Sequence, residues 1–259
     1  MIEVININSL PAFLLILFRV TAFFVTIPIF SYRNVPTHFK IGIGFFLAWI
    51  VFFTGPIPEL PIDGMFILLL LKEIIVGLAL GLIAYIVLSA IQIAGGFIDF
   101  QMGFAIANVV DPQTGAQSPL MGQYFYTIAL LFLFTVNGHH LIINGIMYSF
   151  DTIPIDSLID LGDGNTIAFI LQTFSQMFLI AFQMSIPIVG CMFLVDVALG
   201  IVARTVPQLN VFVVGLPLKI LVALFVLIIF IGIYVMLVKD LFELMLETMQ
   251  GLMRFFGGA

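Results

Sequence analysis

Long apolar runs separated by short polar connectors dominate the hydropathy pattern of this chain. A helix needs about 20 mostly apolar residues to cross the roughly 30 Å hydrocarbon layer of a bilayer. Six runs meet or approach that length, approximately Leu10 to Phe30, Phe39 to Thr54, Met65 to Ala94, Tyr124 to Phe150, Ile167 to Val195 and Val211 to Val238. The pattern therefore predicts an all-α membrane protein with about six long hydrophobic helices, some of them kinked.

The end of the chain has a different pattern. After Val238, polar and apolar residues recur at helical spacing in KDLFELMLETMQGLMRFF, which predicts an amphipathic extension. Such an extension lies on a membrane surface or continues the sixth helix, and the sequence leaves both possibilities open.

Composition supports the membrane assignment and narrows the function classes. Of the 259 residues, 63% are hydrophobic and 8% are charged, whereas soluble domains carry roughly 25% charged residues. The net charge of −6 and the eight Lys and Arg residues offer no clustered cations, so a nucleic-acid partner is not expected. The chain has no GxxxxGK[ST] and no GxSxG motif, which leaves an enzyme unsupported. We expect neither a cofactor nor a metal.

The connectors differ in charge. Arg33, His38 and Lys40 lie between the first run and the apolar part of the second, whereas the connector at 151–165 holds four Asp residues and no Lys or Arg. The positive-inside rule places the first connector in the cytoplasm. Alternation along the chain then puts the acidic connector outside and Arg204 on the cytoplasmic side.

Five ionisable residues interrupt the apolar runs, and such residues are candidates for function because they are costly in a membrane. They are Arg19, Lys72, Glu73, Asp196 and Lys219. Adjacent residues on a helix point about 100° apart, so Lys72 and Glu73 are not expected to share a face and should find partners elsewhere. Pairing within the helix bundle, snorkelling to an interface, pairing with other subunits and an ion pathway all remain open.

Small and polar residues at helix positions have simpler interpretations. Gly77 and Gly81 form a GxxxG motif, which predicts close helix packing, with local helix flexibility as the alternative. His139 and His140 diverge on a helix and have no accompanying ligand motif, so a turn at Asn137-Gly138 explains them better than a metal site.

The stretch ANVVDPQTGAQSPLMGQ, residues 107–123, is small, polar and almost uncharged. Asp111-Pro112 and Gly115 supply turn chemistry. Irregular backbone at membrane depth must be buried in protein or line a watery cavity. An ordinary connector and a re-entrant or pore-occupying loop both fit this composition.

A second unusual stretch, RTVPQLNVFVVGLPLK, covers residues 204–219. It places two cations and two prolines at the start of an apolar run. Pro207 and Pro217 each lack an amide hydrogen and clash with the preceding turn, so no single smooth helix is predicted through this elbow.

Two blocks together, GGFIDFQMGFAIANVVDPQTGAQSPLMGQ at 95–123 and DVALGIVARTVPQLNVFVVGLPLK at 196–219, resemble the FliR family. This is the flagellar member of the group that includes the SctT proteins of virulence type III secretion. The resemblance in length, hydropathy and block order covers nearly the whole chain. It implies a subunit of the export gate in the flagellar basal body, at the bacterial inner membrane.

The resemblance also implies partners and a wider arrangement. One FliR-like chain joins FliP-like and FliQ-like chains as helical hairpins in a multi-chain ring, in contact with FlhB-like and FlhA-like components. Unfolded exported proteins pass through the ring. Within the single membrane-embedded domain, 1–259, the implied division is a FliP-like portion, 1–150, and a FliQ-like hairpin portion, 151–259.

Site residues follow from the same resemblance. The implied pore plug loop, within the central loop at about 107–123, consists of Val110, Asp111, Pro112, Gln113, Thr114, Gly115, Ala116 and Gln117. Asp99 and Gln101 are implied to position this loop. The implied cytoplasmic entrance contacts, within the elbow 204–212, are Arg204, Pro207, Gln208, Asn210 and Phe212.

A stand-alone ion-coupled membrane transporter is the alternative function. It is motivated by Lys72, Glu73 and Asp196, which lie in apolar runs. Many transporters show broken helices at matching places in two halves of the chain, and this sequence has no such matched pair. A transporter would also work without the partners that a gate subunit requires.

Overall fold

The computed structural model describes residues 9–27, 36–55, 58, 60–104, 119–159, 165–208 and 210–257. Within these ranges the backbone forms seven α-helices and no strand. They are α1 (Leu10–Thr26), α2 (Thr37–Thr54), α3 (Gly64–Met102), α4 (Leu120–Thr135), α5 (Gly138–Thr152), α6 (Asn165–Thr205) and α7 (Val211–Gly257). The predicted all-α membrane fold is confirmed.

Four of the described helices, α2, α3, α6 and α7, are long and apolar enough to cross a membrane, and α4 with α5 forms a broken fifth candidate. The fourth apolar run, Tyr124 to Phe150, is interrupted at Val136 and Asn137, which separate α4 from α5. Asn137 has a φ of 56°, a left-handed conformation that Asn adopts more readily than most residues. The predicted Asn137-Gly138 turn is confirmed.

The longest helices run beyond the predicted apolar segments. Helix α7 continues to Gly257, so the amphipathic extension prolongs this helix. It also runs through Pro217. The prediction that no single smooth helix passes through residues 204–219 is confirmed by the break between Thr205 and Val211, but that break includes Pro207, and Pro217 does not end the helix. A proline removes only one amide donor, and a helix inside a membrane protein can accommodate that loss.

The chain divides into two compact units. The first comprises residues 1–87, 137–173 and 243–259, and the second comprises residues 88–136 and 174–242. Helices α3, α6 and α7 contribute residues to both. The division into FliP-like and FliQ-like portions at residue 150 stays a prediction.

In the first unit, α1 buries one face with helical periodicity. Leu15, Ile16, Val20, Phe23 and Phe24 are buried on it, at the three- and four-residue spacing of a helix stripe. This face is approached closely by α3. A Cβ on Gly77 would lie 2.9 Å from the Ala22 Cβ and would overlap the Arg19 carbonyl oxygen, and one on Gly81 would overlap Thr26. The GxxxG glycines therefore lie where α3 packs on α1.

The last turns of α7 also belong to the first unit. Met249, Leu252, Met253 and Phe256 are buried, again at helical spacing. A Cβ on Gly251 would lie 2.6 Å from the ring of Phe169, so the helix backbone rests directly on that ring. The apolar stripe of the C-terminal extension is thus used for packing within the protein.

The second unit is organised around the approach of α3 to α4. A Cβ on Gly95 would overlap the backbone N and Cα of Gly122, so the two helix backbones are in contact there. Farther along α4, Phe125 stacks on Tyr234 of α7 with ring centroids 4.6 Å apart. The buried Tyr234 hydroxyl donates a hydrogen bond to the Phe125 carbonyl oxygen at 2.6 Å, which satisfies its polar end.

Replacing Gly95 by Ala should lower the free energy of unfolding by about 1 to 3 kcal/mol, because overpacking forces the α3 and α4 backbones apart. The measurement is detergent-solubilised thermal or denaturant unfolding. Gly190→Ala is the control, since its Cβ would meet nothing within 4 Å. Equal loss of stability in both variants would contradict the close approach.

Candidate functional site

Asp99 holds both ends of the segment 105–118. Its backbone carbonyl accepts a hydrogen bond from the Phe104 amide at 2.9 Å, just after α3 ends. Its carboxylate oxygens each lie 3.2 Å from the Met121 amide nitrogen in the first turn of α4. Pro119, the N-cap residue of α4, supplies no side-chain acceptor, so Asp99 provides one to a helix N-terminus that favours negative charge.

The end of α3 requires glycine geometry. Gly103 has a φ of +89°, a conformation that residues with a Cβ rarely adopt. Its amide donates to the Phe100 carbonyl oxygen at 3.2 Å, which closes the last turn. The predicted plug loop, Val110 to Gln117, lies outside the described residues, whereas the residues that hold its two ends lie within them.

Gln101 and Asp196 connect α3 to the hairpin formed by α6 and α7. The Gln101 side-chain nitrogen donates to Asp196 Oδ2 at 2.8 Å. The other carboxylate oxygen of Asp196 forms an ion pair with Lys219 of α7. Asp196 is therefore shared by side chains from two other helices. The side chains of Lys219 and Asp196 are 21% and 37% exposed, so the rest of the chain covers this ion pair only in part.

A cleft of about 520 Å³ adjoins this ion pair in the second unit. Asp196 and Lys219 line it together with apolar residues, among them Phe100, Leu199 and Leu216. The cleft lies between the last turn of α3 and the first turns of α7. Side chains at the end of α3 therefore have open space beside them.

The elbow is a short connection between two helices. Helix α6 ends at Thr205 and α7 begins at Val211. Arg204, Pro207, Gln208, Asn210 and Phe212 are all exposed. Arg204 lies in the last turn of α6, where a cation interacts favourably with the helix dipole. The role of these five exposed residues as entrance contacts stays a prediction.

Asn210 has a structural task within the chain. Its side-chain oxygen accepts hydrogen bonds from the Phe212 amide at 3.1 Å and the Val213 amide at 3.4 Å. This is N-cap geometry for α7. An Asn immediately before an apolar run is a recognised helix-start signal. The sequence alone could therefore have predicted this cap, in addition to the predicted role of Asn210 as a contact group.

A charged cluster lies inside the first unit. Arg19 and Glu73 have no exposed surface, and Lys72 is 5% exposed. Arg19 pairs with both carboxylate oxygens of Glu73, and its guanidinium lies 4.2 Å from the centroid of the Phe150 ring. Lys72 Nζ lies 2.6 Å from Glu73 Oε1. Both residues have the predicted partners elsewhere, Arg19 for Glu73 and the Pro154 carbonyl for Lys72. They also meet each other, because the long lysine side chain reaches the neighbouring carboxylate.

The same cluster binds the C-terminal end of α5. Arg19 donates to the carbonyl oxygens of Ser149 and Ile153, each at 2.8 Å, and Lys72 donates to the Pro154 carbonyl oxygen. Helix C-termini have unpaired carbonyls and partial negative charge. The two positive charges of Arg19 and Lys72 are thus balanced by the Glu73 carboxylate and, in part, by the carbonyl oxygens at the end of α5. An intersubunit role for these residues stays a prediction.

Fold and site together define a multi-pass helical membrane protein with charged groups engaged inside its helix bundle. The chain matches the family of bacterial export proteins, family 1, over residues 10–245. It therefore belongs to that family, and the predicted membership of the FliR family is confirmed.

Three relatives illustrate the similarity. Flagellar biosynthetic protein FliR of Bacillus subtilis (strain 168) is 57% identical over 253 residues, 97% of this chain and 98% of that protein. FliR of Escherichia coli (strain K12) is 31% identical over 209 residues, 80% of this chain and 79% of that protein. Yop proteins translocation protein T of Yersinia pestis is 31% identical over 227 residues, 86% and 87% of the two chains. The chain is a membrane-embedded component of flagellar or type III export.

The buried cluster predicts strong coupling between Arg19 and Glu73. Glu73→Gln leaves two buried cations without their carboxylate, a loss of about 3 to 5 kcal/mol. The double variant Arg19→Gln/Glu73→Gln should lose clearly less stability than the sum of the two single variants. Unfolding of the purified protein measures this. The exposed Glu247→Gln serves as control and should change stability by less than about 0.5 kcal/mol. Additive effects at Arg19 and Glu73 would argue against the pair.

Proposed function

We propose that this chain is a subunit of the flagellar type III protein export gate in the bacterial inner membrane. Together with FliP-like and FliQ-like chains it forms a channel for unfolded flagellar proteins. The relative from Bacillus subtilis, similar over nearly its full length, carries the name of a flagellar biosynthetic protein, which favours a flagellar system over a virulence system. FlhB-like and FlhA-like components are the further partners.

The apolar surface of the hairpin carries this proposal. In α6 the most apolar 18 residues are only 11% buried, and in α7 17%, compared with 56% in α3. Within the second unit, exposed apolar side chains on α6 extend from Phe174 to Val202, about 42 Å at 1.5 Å per residue. That length exceeds the roughly 30 Å of hydrocarbon that an upright helix crosses. Helices of partner chains are the covering that an export gate supplies.

Val110 to Gln117 are proposed as the pore plug. Support comes from Asp99, which binds Phe104 before this segment and Met121 after it. The exposed elbow residues, Arg204 to Phe212, are proposed as contacts at the cytoplasmic entrance. Asn210 supports this site indirectly, because it fixes the start of α7.

The alternative of a stand-alone ion-coupled transporter is less well supported. An ion pathway needs charged groups that exchange partners with water or a substrate. Arg19 and Glu73 are fully buried and are engaged with each other and with the end of α5. This geometry is typical of a structural cluster.

Native mass spectrometry of the tagged chain tests the proposal. The chain is expressed alone and with FliP-like and FliQ-like chains from the same organism, purified in mild detergent and weighed. We expect a mixed complex containing one copy of this chain. A stable monomer or homodimer that does not bind either partner would overturn the gate assignment and favour the stand-alone transporter.

Deleting residues 111–117 should leave the complex assembled but make the membrane permeable to small ions. Assembly survives because Phe104 and Met121 are both held by Asp99, so the shortened connection has little distance to span. Uptake of a membrane-impermeant ion-sensitive dye measures the leak, with an unmodified strain as control. A tight membrane in the deletion strain would remove this segment from the pore.

A further inference from the structure

Two ion pairs among the described residues differ in how far the rest of the chain covers them. Arg19 and Glu73 in the first unit have no exposed side-chain surface. Asp196 and Lys219 in the second unit are partly exposed and line a cleft of about 520 Å³. A fully buried pair cannot be separated without leaving unpaired charge in an apolar interior. A partly exposed pair beside a cleft leaves less unpaired charge in an apolar interior when it separates, so its separation costs less.

Asp196 is the point at which three helices meet through polar side chains. It lies on α6, accepts a hydrogen bond from Gln101 of α3 at 2.8 Å and pairs with Lys219 of α7. Gln101 is two residues from Gly103, whose positive φ ends α3. The position of the last turn of α3 on the hairpin therefore depends on the Asp196 carboxylate, which Gln101 and Lys219 share.

The same carboxylate is linked to the elbow by two short helical arms. Arg204 lies eight residues after Asp196 on α6, and Lys219 lies eight residues after Val211, the first residue of α7. Each arm is about 12 Å long at 1.5 Å per residue. Displacement of the elbow moves both arms, and the Asp196–Lys219 pair is where they are joined.

We infer that Asp196 is a positioning residue that couples the elbow to the end of α3 through a releasable Gln101–Asp196–Lys219 connection. The inference rests on the proposed gate function, in which the elbow is the entrance. When the hairpin arms move apart, Asp196 releases Gln101 or Lys219 into the adjoining cleft, and the last turn of α3 is free to change position. When the arms close, Asp196 again binds Gln101 and Lys219, and the last turn of α3 returns to its original position.

Spin-label distances in the assembled complex test this coupling. Labels at Phe100 on α3 and Val213 on α7, which are 74% and 68% exposed, report the separation of the two helices after Cys191→Ser removes the native thiol. We expect one narrow distance distribution with Asp196 intact. Asp196→Ala and Gln101→Leu should raise the population of longer distances about fivefold, the size expected from a partly exposed ion pair. Secretion of a flagellar protein should fall by a similar factor while complex yield is unchanged.

A charge exchange provides the rescue. Asp196→Lys combined with Lys219→Asp restores the ion pair, and the Gln101 amide, which has both a donor and an acceptor, can still bond to the new lysine. We expect distances and secretion to return toward their original values, whereas each single change behaves like Asp196→Ala. Asp240→Ala, an exposed carboxylate on α7, is the matched control and should change neither readout.

The outcomes separate this inference from the proposed function. Failure of the unmodified chain to join any mixed complex overturns the gate itself. A complex that forms normally while Asp196→Ala and Gln101→Leu leave both distances and secretion unchanged overturns the coupling alone. If Asp196→Ala prevents assembly, Gln101→Leu and the charge exchange decide the question, and the absence of rescue together with unchanged distances in Gln101→Leu contradicts the inference.

Discussion

An arginine without exposed surface has five N–H donors, and each needs an acceptor because a bilayer interior contains no water to replace one. Arg19 finds them in Glu73, in the Ser149 carbonyl and hydroxyl oxygens and in the Ile153 carbonyl. The arrangement requires α1, α3 and the end of α5 to meet at one place. The Gly77 and Gly81 contacts with α1 are compatible with that meeting, since only small residues allow α3 to come so close.

The existence and type of the helices were predictable, because an apolar run near 20 residues matches the length of a membrane-crossing helix and far exceeds that of an ordinary strand. The interruption at Val136 and Asn137 was harder to foresee within an apolar run, since it depends on one residue in a left-handed conformation. The Asn137-Gly138 dipeptide was nevertheless a usable turn signal. Pro217 shows that one proline does not end a helix whose other hydrogen bonds are retained.

Partners of the charged residues could not be derived in the same way. Asp196 binds residues 95 positions before it and 23 positions after it along the chain, and no spacing rule connects such distant positions. The capping of α4 by Asp99 is hidden for the same reason, because its acceptor comes from another helix. A local signal was available for Asn210, which stands immediately before the helix that it caps.

The first unit is assembled from the beginning, the middle and the end of the chain. Met249, Leu252, Met253 and Phe256 complete its buried core, and Gly251 rests on the ring of Phe169. During synthesis these residues are made after all the other described helices. The early helices must therefore wait in the membrane with part of their packing surface uncovered, and the unit reaches its final form only once the last turns of α7 have been made.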